Sequence, residues 1–232
     1  NFPASRSDVV AAFASAYTNL YGLLNHNSYM SMNQVAADDL CIPHRTADWL
    51  DGGQWLRVHR HQTTPQEQAV NNGWNWLYRG ALQCNSIIQL LGTDQTASLL
   101  SAEEIAQFTG EMRALRALFY FWLMDAYGNV PLITGDEETV DPQPANTPRA
   151  QIYDFVVSEL ESAAAALPKA KGVETYARFN YYAAQALLAK VKLNAEVYTG
   201  TADWSGAAAA AGTGRRQGWP TITGQRAAAA EH

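Results

Sequence analysis

Apolar residues recur at intervals of three and four along most of this chain. Val9, Val10, Phe13, Tyr17, Leu20, Tyr21 and Leu24 form one stripe, the spacing of a helix with a single buried face. A second stripe runs through Val70, Trp74, Leu77, Ala81, Ile88 and Leu91 and halts at Gly92. Thr64, Pro65 and Glu67 precede it in the order of a capping box: a hydroxyl to cap, a proline in the first turn, and a carboxylate placed to reach back. Ser101 and Glu104 repeat the device ahead of Ile105, Phe108, Met112, Leu115, Phe119 and Trp122. Gly128 then stands where a left-handed residue ends a helix. Thr147 and Pro148 open another helix that must stop before Pro168, and 180–198 makes a fifth, closed by Gly200. Strand signals are confined to VPLIT at 130–134.

These elements predict an all-α chain. Successive antiparallel helix pairs bury each other's apolar faces in a tetratricopeptide-like stack with long irregular loops. Helix starts near 102, 148 and 180 are too unevenly spaced for a strict repeat. The whole of 1–232 reads as one domain, with 205–232 as a poorly patterned tail. Alanine runs at 207–211 and 227–230 favour helix intrinsically but offer nothing large to bury.

One segment breaks the pattern. RTADWLDGGQWLRVHRH, residues 45–61, crowds two tryptophans, two aspartates and two glycines among cationic side chains with no clean period. It holds flat aromatics and hydrogen-bonding groups together on a loop.

Composition narrows the function classes. A net charge of −6 with no concentrated basic face argues against nucleic acid. No apolar run approaches the ~20 residues that span a bilayer. Cys41 lies in a loop and Cys84 in a predicted helix, so spacing assigns no disulfide, and two free buried thiols are the plain reading. His59 and His61 bring no further ligands at metal spacing, Asp38 and Asp39 lack a loop of alternating oxygen donors, and no metal or cofactor is expected. Arg113 and Arg116, one turn apart, are expected to pair with acidic neighbours such as Glu111 or Asp125.

EMRALRALFYFWLMDAYGNVPLIT, residues 111–134, resembles the signature helix and turn of the SusD/RagB family, outer-membrane nutrient-binding lipoproteins of the Bacteroidetes. Four further stretches agree in order: DWLDGGQW, WNWLYRGALQCNSII (74–88), TPRAQIYDFVVSELESAAAALP (147–168) and YYAAQALLAKVKLNAEVYTGTADW (181–204). Members of that family are considerably longer, so the resemblance implies an N-terminal, helix-rich portion that lacks the C-terminal part and the aromatic wall it supplies. It also implies a non-catalytic protein, tethered to the outer membrane through a lipidated cysteine upstream of residue 1. Such a protein sits as a lid on a SusC-like TonB-dependent transporter and captures oligosaccharides or polysaccharides, or in some members peptides.

In that family the loop between the first helix and the WNWLYRGALQCN-like helix contributes to the glycan platform. Sugars present C–H patches to flat rings and hydroxyls to polar side chains. Carried over, Trp49 is the first candidate for stacking and Trp55 the second. Arg45, Asp48, Asp51 and Gln54 are candidates for hydroxyl contacts, and Gly52 and Gly53 let the backbone turn. Each has a plain alternative: the indoles can plug the loop onto the helices, and the aspartates can bond loop amides. Three functions compete. One is a glycan-binding surface protein, and another is a helical adaptor or peptide-binding lid with no glycan site. The third is a hydrolase using Asp48 and Asp51, which a glycine-rich loop gives no means to differentiate.

Overall fold

Ser5 opens the first helix. Its hydroxyl accepts from the Asp8 amide while the Asp8 carboxylate takes the Ser5 amide, a capping box that starts α1 (Arg6–Leu23). The structure, a computed structural model, describes residues 2–135 and 143–215. Val9, Phe13 and Ala16 are buried as the stripe requires, but Tyr21 and Leu24 are exposed. The buried face of the last turn passes instead through Gly22 and Leu23, because the Trp76 ring lies where a Gly22 side chain would be.

Two short helices follow that the periodicity does not announce: α2 (Tyr29–Ala36) and, inside the segment read as irregular, α3 (Gln54–His59). Neither is long enough to display a period. They close a small apolar cluster of Val35, Trp55, Val58 and Ala69, separate from the main core.

The body is built on α4 (Gln68–Leu91), α6 (Ala102–Tyr127) and α7 (Arg149–Ala166), with α5 (Asp94–Ala97) as a corner between the first two. α4 packs between α1 and α6, and α7 covers the other side of α6. The Tyr127 hydroxyl donates to the Val70 carbonyl, which sets the end of α6 against the start of α4. An Arg6–Glu104 ion pair holds the starts of α1 and α6 together. Gly80 permits the close approach of α4 to α6, since a side chain there would strike the Phe119 ring at 2.3 Å. The predicted capping box at Ser101 and Glu104 forms. At the start of α7 Pro148 takes the capping position one residue later than expected, with α-helical geometry beginning at Arg149.

Asn180 caps α8 (Tyr181–Leu193), but the helix read as 180–198 breaks at Asn194 into α8 and α9 (Ala195–Thr199), ended by a left-handed Gly200. Gly128 ends α6 at φ 78°, ψ −113°, a positive φ outside the left-handed helical region. The 130–134 piece forms no strand; Val130 makes an isolated bridge to Thr147. Its carbonyls are otherwise used, Pro131 by the Tyr78 hydroxyl and Ile133 by Tyr120.

The alanine-rich stretch gains a structural role. α10 (Trp204–Arg215) packs on α8 and buries Ala207 and Ala210. Small side chains let the two helices approach closely, a form of packing that a search for large apolar residues overlooks. Residues 216–232 of the predicted tail lie outside the described residues.

Two further expectations change. Cys84 is buried, but Cys41 is exposed; both are free. Arg116 pairs not with Glu111 but with Glu159 of α7, and donates to Asn85 of α4 at 2.8 Å. Glu111 is taken by Arg178, and Asp125 accepts from the Tyr198 hydroxyl. Long-range pairs across the stack displace the neighbours on the same helix.

Candidate functional site

Residues 37–53 leave α2, cross the end of α1 and enter α3. Arg45 and Asp48 exchange both backbone hydrogen bonds, at 2.9 and 3.0 Å, and so close a tight turn. Thr46, Trp49 and Asp51 all have positive φ, at 54°, 58° and 42°. Such values cost non-glycine residues on the order of 1–3 kcal/mol each and persist only where the surroundings impose them. Gly52 and Gly53, at 63° and 79°, continue the left-handed run without that cost.

The result of this backbone is an outward indole. Trp49 is 51% exposed, whereas Trp55 is 2% exposed. Trp55 therefore does not fill its expected role as a second stacking surface. It belongs to the small core cluster, and its indole N–H donates to the Asp51 carboxylate at 2.7 Å. That bond also withdraws Asp51 from the expected ligand contacts: its carboxylate ties the turn to α3. Gln54 is withdrawn as well, being 2% exposed and fully bonded. Its Nε2 donates to Asn27 Oδ1 at 2.6 Å, and its Oε1 accepts from the Ala69 amide at 3.1 Å.

Three of the six predicted side chains do come together. Trp49, Arg45 and Asp48 line a cleft of about 520 Å³ with His26, Ser31 and Cys41. That size lies within the range of small-ligand sites. Among the described residues nothing engages the Arg45 guanidinium or the Asp48 carboxylate, so a donor fork and an acceptor share the cleft with the exposed indole. His26 meets the Trp49 ring edge-on, with centroids 5.2 Å apart and planes at 78°. Behind Trp49 a smaller recess of about 160 Å³ is walled by Val35, Ile42, Leu50, Trp55 and Leu56. No pattern in the sequence marks His26, Ser31 or Cys41: His26 follows the end of α1, Ser31 lies on α2 and Cys41 in the loop after it, and folding alone brings them together.

Beneath the turn the expected capping box at Thr64 is absent. α4 begins after Glu67, and Glu67 makes no capping bond. Its carboxylate instead takes the Arg57 guanidinium at 2.5 and 2.7 Å, and Arg57 Nη1 donates to the Gly52 carbonyl at 2.9 Å. This pairing holds the Glu67 carboxyl below the usual carboxylate range, the Arg57 hydrogen bond being the largest cause. His59 Nδ1 lies 3.1 Å from Asp38 Oδ1 on the surface.

Comparison with known proteins gives consistent matches. A profile of SusD-like proteins, described as starch-binding and associating with the outer membrane, matches residues 4–193. A SusD-like protein of Bacteroides ovatus is 26% identical over 196 residues, which is 83% of this chain and 33% of that protein. Among solved structures, a laminarin-binding SusD-like protein superposes with a TM-score of 0.72 at 21% identity, covering 89% of this chain and 42% of the other. Surface glycan-binding protein A from Bacteroides thetaiotaomicron, in complex with laminarihexaose, gives 0.66 at 23% identity, covering 82% and 39%. The chain thus spans about a third of that curated relative.

Proposed function

Because the chain belongs to the SusD-like family, we propose that it is a surface glycan-binding protein that holds oligosaccharides against Trp49 and passes them to a TonB-dependent outer-membrane transporter. The observation that carries this reading is the half-exposed Trp49 indole, held at positive φ in a cleft it shares with Arg45 and Asp48, whose side chains are unpaired among the described residues. An exposed aromatic fixed by a strained backbone is what a sugar-stacking surface requires, and a loop plug would have no use for it. Names of relatives support the ligand class: one binds laminarin and another is complexed with laminarihexaose.

The placement of the two loop aspartates supports binding without cleavage. Glycoside hydrolysis needs two of them facing one substrate. Asp48 lines the cleft, but Asp51 is turned to Trp55 and lines neither it nor the recess behind. A lipidated cysteine upstream of residue 1 would tether the start of α1. Its 18 residues span about 27 Å, and the cleft borders its far end at His26.

Affinity electrophoresis against laminarin and soluble starch, followed by analysis of the incubated glycans, tests the proposal. Retarded migration with no new reducing ends is the expected result, with Kd in the micromolar to millimolar range, about −8 to −4 kcal/mol. Unretarded migration in every glycan, or the appearance of shorter products, overturns it.

A further inference from the structure

Glu67 is out of place by the rules of helix starts. TTPQE supplies every residue of a capping box, yet Glu67 leaves the helix terminus uncapped by its own side chain. The Ala69 amide, in the first turn of α4, is taken by Gln54 from α3. That substitution frees the Glu67 carboxylate, which is 4% exposed, to bind Arg57 through both oxygens. Arg57 has one further nitrogen in use, and it reaches the Gly52 carbonyl. Gly53 passes so close that a side chain there would meet Arg57 Nη1 at 3.1 Å. Local consistency has been given up at the start of α4, and deviations of that kind concentrate at functional or strained sites.

We propose that Arg57 and Glu67 are positioning residues for ligand recognition: a half-buried clamp that fixes the Gly52 carbonyl and through it the turn of positive-φ residues that sets Trp49 along the cleft. The inference rests on the glycan-binding role proposed for Trp49. Neither residue lines the cleft, so neither touches the ligand. The planar fork of Arg57 serves Glu67 with two nitrogens and Gly52 with a third, which a lysine ammonium cannot reproduce in the same geometry. Strain at Trp49 and Asp51 needs such an external hold, because an exposed loop left to itself relaxes to negative φ.

The test uses the full chain with Arg57→Lys, Arg57→Ala and Glu67→Gln, each alone and combined with Trp49→Ala. Two readouts are taken: amide hydrogen exchange along 45–53 in the free protein, and calorimetric affinity for laminarihexaose and soluble starch. Expected are faster exchange in 45–53 with unchanged protection in α6 and α7, and binding weakened about tenfold by Arg57→Ala, an equilibrium effect that a positional loss readily gives. In the Trp49→Ala background the Arg57 substitutions should bring no further loss, because coupled residues are not additive. Arg57→Lys guards against a variant that fails to fold. Unchanged exchange in 45–53, or an equal loss of affinity with and without Trp49, overturns the clamp. Should the parent chain bind no glycan, the function proposed above fails, while the exchange data still decide whether Arg57 holds the turn.

Discussion

Trp49 and Trp55 share one short loop and helix, yet they make opposite thermodynamic predictions. Trp55→Ala removes a fully enclosed ring and its hydrogen bond to Asp51, a loss of about 3–5 kcal/mol of stability by the usual cost of buried aromatics. Urea denaturation would record it. Trp49→Ala should leave the urea midpoint nearly unchanged, within about 0.5 kcal/mol, since its ring is half in solvent. The sequence places both indoles in the right segment but cannot sort them, because an outward or inward direction there depends on the sign of φ at Thr46, Trp49 and Asp51. A pattern of residue types carries no such sign. The cysteines divide in the same way. Cys41 is exposed, whereas burial pushes the Cys84 thiol well above its ordinary range. A thiol reagent should therefore titrate Cys41 in the native chain and Cys84 only after unfolding. Two equivalents reacting rapidly under native conditions would refute that assignment.

At the level of elements, helix ends separate what was readable from what was not. Ser101 and Glu104 form the box their spacing predicts, and Ser101→Ala should cost about 1 kcal/mol in denaturant unfolding. Glu104 also couples the fold to pH. The Ser101 amide, and after it the Arg6 guanidinium, lower its pKa from 4.5 to about 2. A depressed carboxylate stabilises fully above the unfolded value and loses that contribution as protons are taken up. The difference in Tm between the parent chain and Glu104→Ala should accordingly be constant above about pH 5 and shrink as pH falls from 4.5 toward 2. A gap that widened on acidification would contradict the ion pairing. Thr64 and Glu67 show the same letters with another outcome, because an arginine and a glutamine from α3 compete for the same groups. α10 was hidden for a different reason: its burial uses alanines, which have too little bulk to stand out as a stripe. Long periodic helices, whose faces are repeated many times, are legible apart from the last turn of α1 and the break at Asn194; α2 and α3 are too short to repeat anything.

Seen whole, the molecule is a stack of helices with opposed ends. The starts of α1 and α6 are pinned together by Arg6 and Glu104 at one end, and the Trp49 cleft borders the other end of α1 at His26. The stack supplies rigidity through buried cross-links such as Arg116, which joins α6 to both Glu159 of α7 and Asn85 of α4. Removing one partner of so enclosed a pair typically costs about 3–5 kcal/mol, and Glu159→Ala should show it in thermal or urea unfolding without altering ligand affinity. Rigidity matters because a stacking surface on a fixed body loses little entropy on binding. The central claim is that this surface is Trp49. Isothermal titration of laminarihexaose and soluble starch into the parent chain and into Trp49→Ala tests it most directly. The account predicts measurable binding by the parent and strongly weakened but still measurable binding by the folded variant; equal affinity in both would contradict it.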